Sequence, residues 1–121
     1  MATEGVTQAG VTAGNSAAQR EPDFLQVHGG DNPGTVLVSA PFDGTSFLAW
    51  KRSIVIALRA RMKLGFINGN YTMPDKTADN YDAWIRVDSM VTSWILNAIV
   101  KNISKAFLYT KNSRQLWLDL E

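Results

Sequence analysis

The only histidine of the chain, His28, stands in the run His28-Gly-Gly-Asp-Asn-Pro-Gly34, with Asp31 three residues on and three glycines around it. Those residue types could do three kinds of chemistry. His28 could serve a nucleophile as a base, His28 with Asp31 could ligate a metal, or the glycines could cradle a phosphate. The first needs a held imidazole, and His28 is flanked by flexible glycines. No cysteine occurs in the chain, so thiolate catalysis and thiolate-containing zinc sites are ruled out together. Two ligands fall short of the three or four that zinc takes from protein, and no third lies near in sequence. A phosphate loop needs GxxxxGK[ST] or GxGxxG; neither spacing is present, Pro33 lacks an amide donor and Asp31 would repel the anion. The reading that remains is a turn. Pro33 disfavours helix at Asn32, and Gly34 is expected to take the positive φ of a type II turn with His28 and Asp31 on its flank. No catalytic residue, metal site, cofactor or small-molecule substrate is assigned.

The elements that position this turn can be read from composition. Residues 1–22 are Ala, Gly, Thr, Ser and Gln with hardly a large apolar side chain, too little to offset the entropy of ordering them. They are read as a disordered tail. Residues 23–43 form an extended arm with the turn inside it, and residues 44–121 a helical domain. After Asp43-Gly44, Thr45 or Ser46 is the expected cap of a helix whose Phe47, Trp50, Ile54, Leu58 and Met62 make one stripe, with Gly65 as its stop. Phe66 and Ile67 are expected to tuck back as apolar plugs before a loop of about a dozen residues. A second helix, capped by Thr77 or Asp79, carries Trp84, Val87, Val91, Trp94 and Ala98 at three- and four-residue spacing and is expected to reach about Lys101. Residues 103–109 either continue it or form a separate short helix. A last helix, capped within Thr110–Ser113, brings Leu116, Trp117 and Leu120. The core is expected to hold Phe47, Trp50, Ile54, Leu58, Trp84, Val91, Trp94 and Trp117. The fold class is therefore all-α, a small bundle, read as incomplete because a core-type leucine precedes the last residue without a cap.

Charge is segregated. Residues 1–43 carry five acids and one base, residues 44–74 carry Lys51, Arg52, Arg59, Arg61 and Lys63 with no acid, and residues 75–121 carry six of each. On a helix, Arg52, Arg59 and Lys63 fall within about 60° of one another, so the five cations are candidates for contact with RNA phosphates. The opposing reading is a solvated helix face paired with acids elsewhere, the arm among them. Trp50 and Phe47 lie at core spacing and read as packing residues rather than base-stacking ones. The first residues have neither a basic start nor a long apolar run, so no secretory leader is read there, and no run approaches the roughly 20 apolar residues of a membrane span. A cytoplasmic location is expected, with a nuclear one left open.

From about Phe24 to Glu121 the chain resembles the N-terminal Gag-like region of plant copia-type LTR retrotransposon polyproteins. There an arm reading LHxSDNPG precedes LV, LxGxNYxxW and a basic helix. Here the same order appears as VHGGDNPG (27–34), Leu37-Val38 and FDGTSFLAW (42–50). ALRARMKLGFING (57–69), SMVTSWILNAI (89–99) and RQLWLDLE (114–121) are similar to the segments that follow. Gly30, Ser46 and Phe47 replace the family's usual serine, asparagine and tyrosine, changes compatible with turn, cap and core roles. No cysteine-histidine knuckle and no protease, integrase or reverse-transcriptase motif is present. The resemblance implies a non-enzymatic capsid-like segment, similar to the N-terminal lobe of a capsid, that partners with itself and, in the alternative, an RNA-binding module using the basic first helix.

Overall fold

The computed structural model describes residues 22–121; the tail read over 1–22 falls almost wholly outside them. Among the described residues there are helices and no strand. They are α1 (Phe47–Ala60), α2 (Gly65–Asn68), α3 (Tyr81–Asn97), α4 (Lys101–Ser104) and α5 (Ser113–Leu120), with 3-10 turns at Asp23–Leu25 and Lys105–Phe107.

The two long helices follow the apolar spacing of the sequence. Trp50, Ile54 and Leu58 bury one stripe of α1, and Trp84, Val87, Met90, Val91, Trp94 and Ile95 bury a wider face of α3. Ile54, Leu58, Val91 and Trp94 have no exposed surface at all, and full burial of one aliphatic side chain stabilises by about 1.5–3 kcal/mol. Trp117 of α5 closes the core against Trp50, ring centroids 6.1 Å apart. Phe47, expected in the core, is only half-buried; it lies at the edge against Phe42 and Trp50.

Several boundaries differ from the sequence expectation, each for a tertiary or backbone reason. Ser46 occupies the cap position of α1 in a left-handed conformation, φ 54°, and its side chain caps nothing. Asp43 instead accepts from the backbone and hydroxyl of Thr45, and these bonds hold its carboxyl below the usual carboxylate range. α1 ends at Ala60, not at Gly65. The chain reverses through Met62, φ 61°, which leaves the apolar stripe and is exposed. Gly65 is a buried residue of α2, where a Cβ would come within 2.5 Å of the Tyr71 ring, so close approach and not helix termination requires glycine there. Thr77 and Asp79 cap nothing; the cap position of α3 is Asn80. α3 stops at Asn97, short of Lys101, because the arm claims the backbone beyond it. The Phe42 amide donates to the Ala98 carbonyl at 2.8 Å and the Val100 amide to the Phe42 carbonyl at 2.9 Å, an isolated parallel bridge that holds Val100 extended. α5 is capped by Asn112, whose side chain accepts from the Gln115 amide at 2.8 Å.

Candidate functional site

The HGGDNPG turn is closed by the Thr35 amide on the Asn32 carbonyl at 3.0 Å and the Asp31 amide on the His28 carbonyl at 2.8 Å. Gly34 does not take a positive φ, so the type II form expected for it is not the one present; the Asn32 side chain accepts from the Gly34 amide at 2.9 Å and stabilises the bend. The turn is seated on α3: Trp94 donates its indole N–H to the Asn32 carbonyl at 2.6 Å, and Asn97 donates to the Pro33 carbonyl at 3.1 Å. Pro33 and Gly34 are exposed, as is His28, whose backbone amide donates to Asp31 at 3.3 Å. Among the described residues no three potential metal ligands cluster. The turn fastens the arm to the domain.

Of the five cations that are candidates for nucleic-acid contact, three are engaged by partners within the chain. Lys63 is fully buried, which removes it from any phosphate contact. The reversal at Met62 takes it off the flank that an uninterrupted helix would have given it, and its ammonium donates to the Gln26 carbonyl at 2.9 Å and more weakly to the Arg61 carbonyl. Burial pushes its pKa down; Asp31 opposes that shift and Arg61 adds to it. Arg61 pairs with Asp31 at 2.5 Å, a carboxylate whose side chain is only 3% exposed, and lies over the Trp94 ring at 5.4 Å. Lys51 pairs with Glu121 and sits over the rings of Phe47 and Trp117. Arg52 and Arg59 remain exposed, with no ion pair among the described residues. They share the outer face of α1 with two apolar side chains, Leu48 at 78% exposure and Ile56 at 50%. Beside that face an open groove of about 690 Å³ runs between α1 and residues 37–43 of the arm, with Ile56, Ala49 and Val38 in its walls.

Two features were not singled out from the sequence. Asp88 is buried on α3 and accepts from the Ser113 hydroxyl at 2.5 Å and from its amide, which fixes the start of α5. Burial pushes the Asp88 carboxyl up, against the effect of the Ser113 bonds. Nothing local in the sequence marks the pair, since the partners are 25 residues apart. The second is a basic stretch hidden in an apparently balanced region. Residues 89–118 carry Lys101, Lys105, Lys111 and Arg114 and no acid, which a finer division of the charge would have shown. No helix among the described residues is long and apolar enough to cross a membrane.

No curated protein and no solved structure matches the chain. Residues 28–75, which run from the arm's turn through α1 and α2 into the following loop, match the family model described as Gag-polypeptide of LTR copia-type, the family that the motifs of the sequence resemble.

Proposed function

We propose that the chain is a non-enzymatic, capsid-like structural segment that acts by self-association. The observation that carries this reading is the outer face of α1, where Leu48 and Ile56 stand in solvent beside the apolar groove against the arm. The copia-type Gag match over the same residues supports it. So does the use of Trp50, Trp84, Trp94 and Trp117 in packing, which leaves the large aromatic groups inside the fold rather than around a reaction centre. Burying two aliphatic side chains and the groove wall between copies supplies a non-directional drive to associate. Sedimentation of the 121-residue chain over a wide concentration range is expected to show mass rising with concentration. Leu48→Glu with Ile56→Glu is expected to keep the chain monomeric with an unchanged helical spectrum. A wild-type chain that stays monomeric at every concentration overturns the reading.

A further inference from the structure

α2 ends on the pair Asn68-Gly69, where a backbone nitrogen stands free beside a side-chain amide. Both residues are exposed, and Gly69 lies in the left-handed region at φ 87°. The Gly65 carbonyl, which a regular helix would offer to the Gly69 amide, accepts from the Tyr71 amide at 3.0 Å, and the Gly69 N–H has no hydrogen-bond acceptor among the described residues. The Asn68 side-chain oxygen accepts from the Asn70 amide at 3.0 Å. That donor polarises the carbonyl towards attack at Cγ, and glycine has no side chain to hinder the approach of its own nitrogen.

We propose that Asn68 is a site of self-modification, in which the Gly69 nitrogen closes on the Asn68 side chain and converts it to an acidic residue. The Gly69 nitrogen gives its proton to solvent base and forms a bond to Asn68 Cγ, with negative charge collecting on Oδ1. The Cγ–Nδ2 bond then breaks, and the side-chain nitrogen takes up a proton from water and leaves as ammonia. One water opens the resulting cyclic imide at either carbonyl, to aspartate or to isoaspartate. Nothing is oxidised or reduced.

A second asparagine precedes a small residue, Asn112-Ser113, and there the fold blocks the same reaction. The Ser113 amide donates to the Asp88 carboxylate at 3.3 Å, Ser113 has no exposed surface, and the Asn112 side chain accepts from the Gln115 amide as the cap of α5. The consequence at Asn68 falls on the contact between α2 and α5. Arg114 donates to the Ile67 carbonyl at 2.6 Å, and its Nε lies 3.7 Å from where a side chain on Gly69 would begin. Either product adds a negative charge to the turn that Arg114 holds, and isoaspartate also adds a carbon to its backbone. The site does not depend on self-association.

The test is peptide mapping by mass spectrometry of the 121-residue chain after incubation at mildly alkaline pH, native and in urea, with aspartate and isoaspartate told apart by fragmentation. In the native chain the peptide holding Asn68 is expected to convert to both products while the peptide holding Asn112 stays unchanged. In urea Asn112 reacts as well, and the ratio of conversion at Asn68 to that at Asn112 is expected to fall by about tenfold, because unfolding frees the Ser113 amide. Asn68→Gln, whose longer side chain closes a less favourable ring, is expected to abolish the signal with an unchanged helical spectrum. An Asn68 that survives in the native chain but converts in urea overturns the proposal, since the turn would then protect it. So does a ratio that is the same in both conditions, or a signal that persists in Asn68→Gln.

Discussion

Two stretches of this chain have the same charge signature and opposite fates. Residues 44–74 hold five cations and residues 89–118 hold four, each without an acid. In the first stretch the arm folds across and supplies acceptors. Gln26 takes Lys63 and Asp31 takes Arg61, while Glu121 from the other end of the chain takes Lys51. In the second, Arg114 alone turns inward, to the Ile67 carbonyl at 2.6 Å, and the three lysines stay in water. A charge run in a sequence counts charges but not their availability. Availability is set by whether a distant segment brings an acceptor over them.

The largest effect that tests this contrast is at Lys63. Lys63→Ala is expected to destabilise by about 2–4 kcal/mol, from the vacated volume and the lost bond to Gln26, whereas Lys105→Ala is expected to fall within about 0.5 kcal/mol of wild type. Urea denaturation of both variants reads the difference; equal costs would erase the contrast between the two stretches. Next comes Arg61→Gln, which leaves a nearly buried Asp31 carboxylate without its cation. About 1–3 kcal/mol is expected, together with faster amide exchange across residues 28–35 than elsewhere, because the turn loses a tether. A uniform rise in exchange over the chain would show that Arg61 does not hold the turn in particular.

The smallest effect is a pH drift from Asp88, the acid that adjoins the second basic stretch without neutralising it. Burial raises its folded pKa above the ordinary 3.8, so the folded state holds the proton more tightly than the unfolded chain. The associated stability is fully present below that value and lost as pH rises through the raised one. Asp88→Asn is therefore expected to gain on wild type as pH rises from about 4. Thermal midpoints of the two proteins compared across this range check it, and a pH-independent gap would mean that the carboxyl is not desolvated.

Much of the fold is legible locally. The three- and four-residue spacing of Trp50, Ile54 and Leu58, and of Trp84, Val87, Val91 and Trp94, is enough to place two buried helix faces, because side chains at those intervals share one side of a helix. Asn112 lay among the residues expected to cap the last helix. The helix ends were less legible. Gly65 reads as a stop in isolation, and only the Tyr71 ring above it shows why glycine is there. The end of α3 depends on Phe42, more than fifty residues earlier in the chain.

The basic surface was the least legible of all. Arg52, Arg59 and Lys63 fall together on an ideal helix, but one left-handed residue at Met62 separates the last from the others. Tyr109 reads in sequence as one more aromatic of an apolar run, ISKAFLY, and its exposure follows from the short helical segment that turns Ile103 and Phe107 inward instead.

By itself, then, the sequence determined that this chain packs helices through its tryptophans, bends at His28–Gly34 and is similar over residues 28–75 to copia-type Gag polypeptides, because periodicity, turn chemistry and motif order are properties of neighbours along the chain. The tertiary structure alone decided which cations face water, where α1 and α3 end and what the turn is fastened to. Those outcomes depend on hydrogen bonds and burial between residues far apart in sequence, such as Trp94 with Asn32 and Lys63 with Gln26.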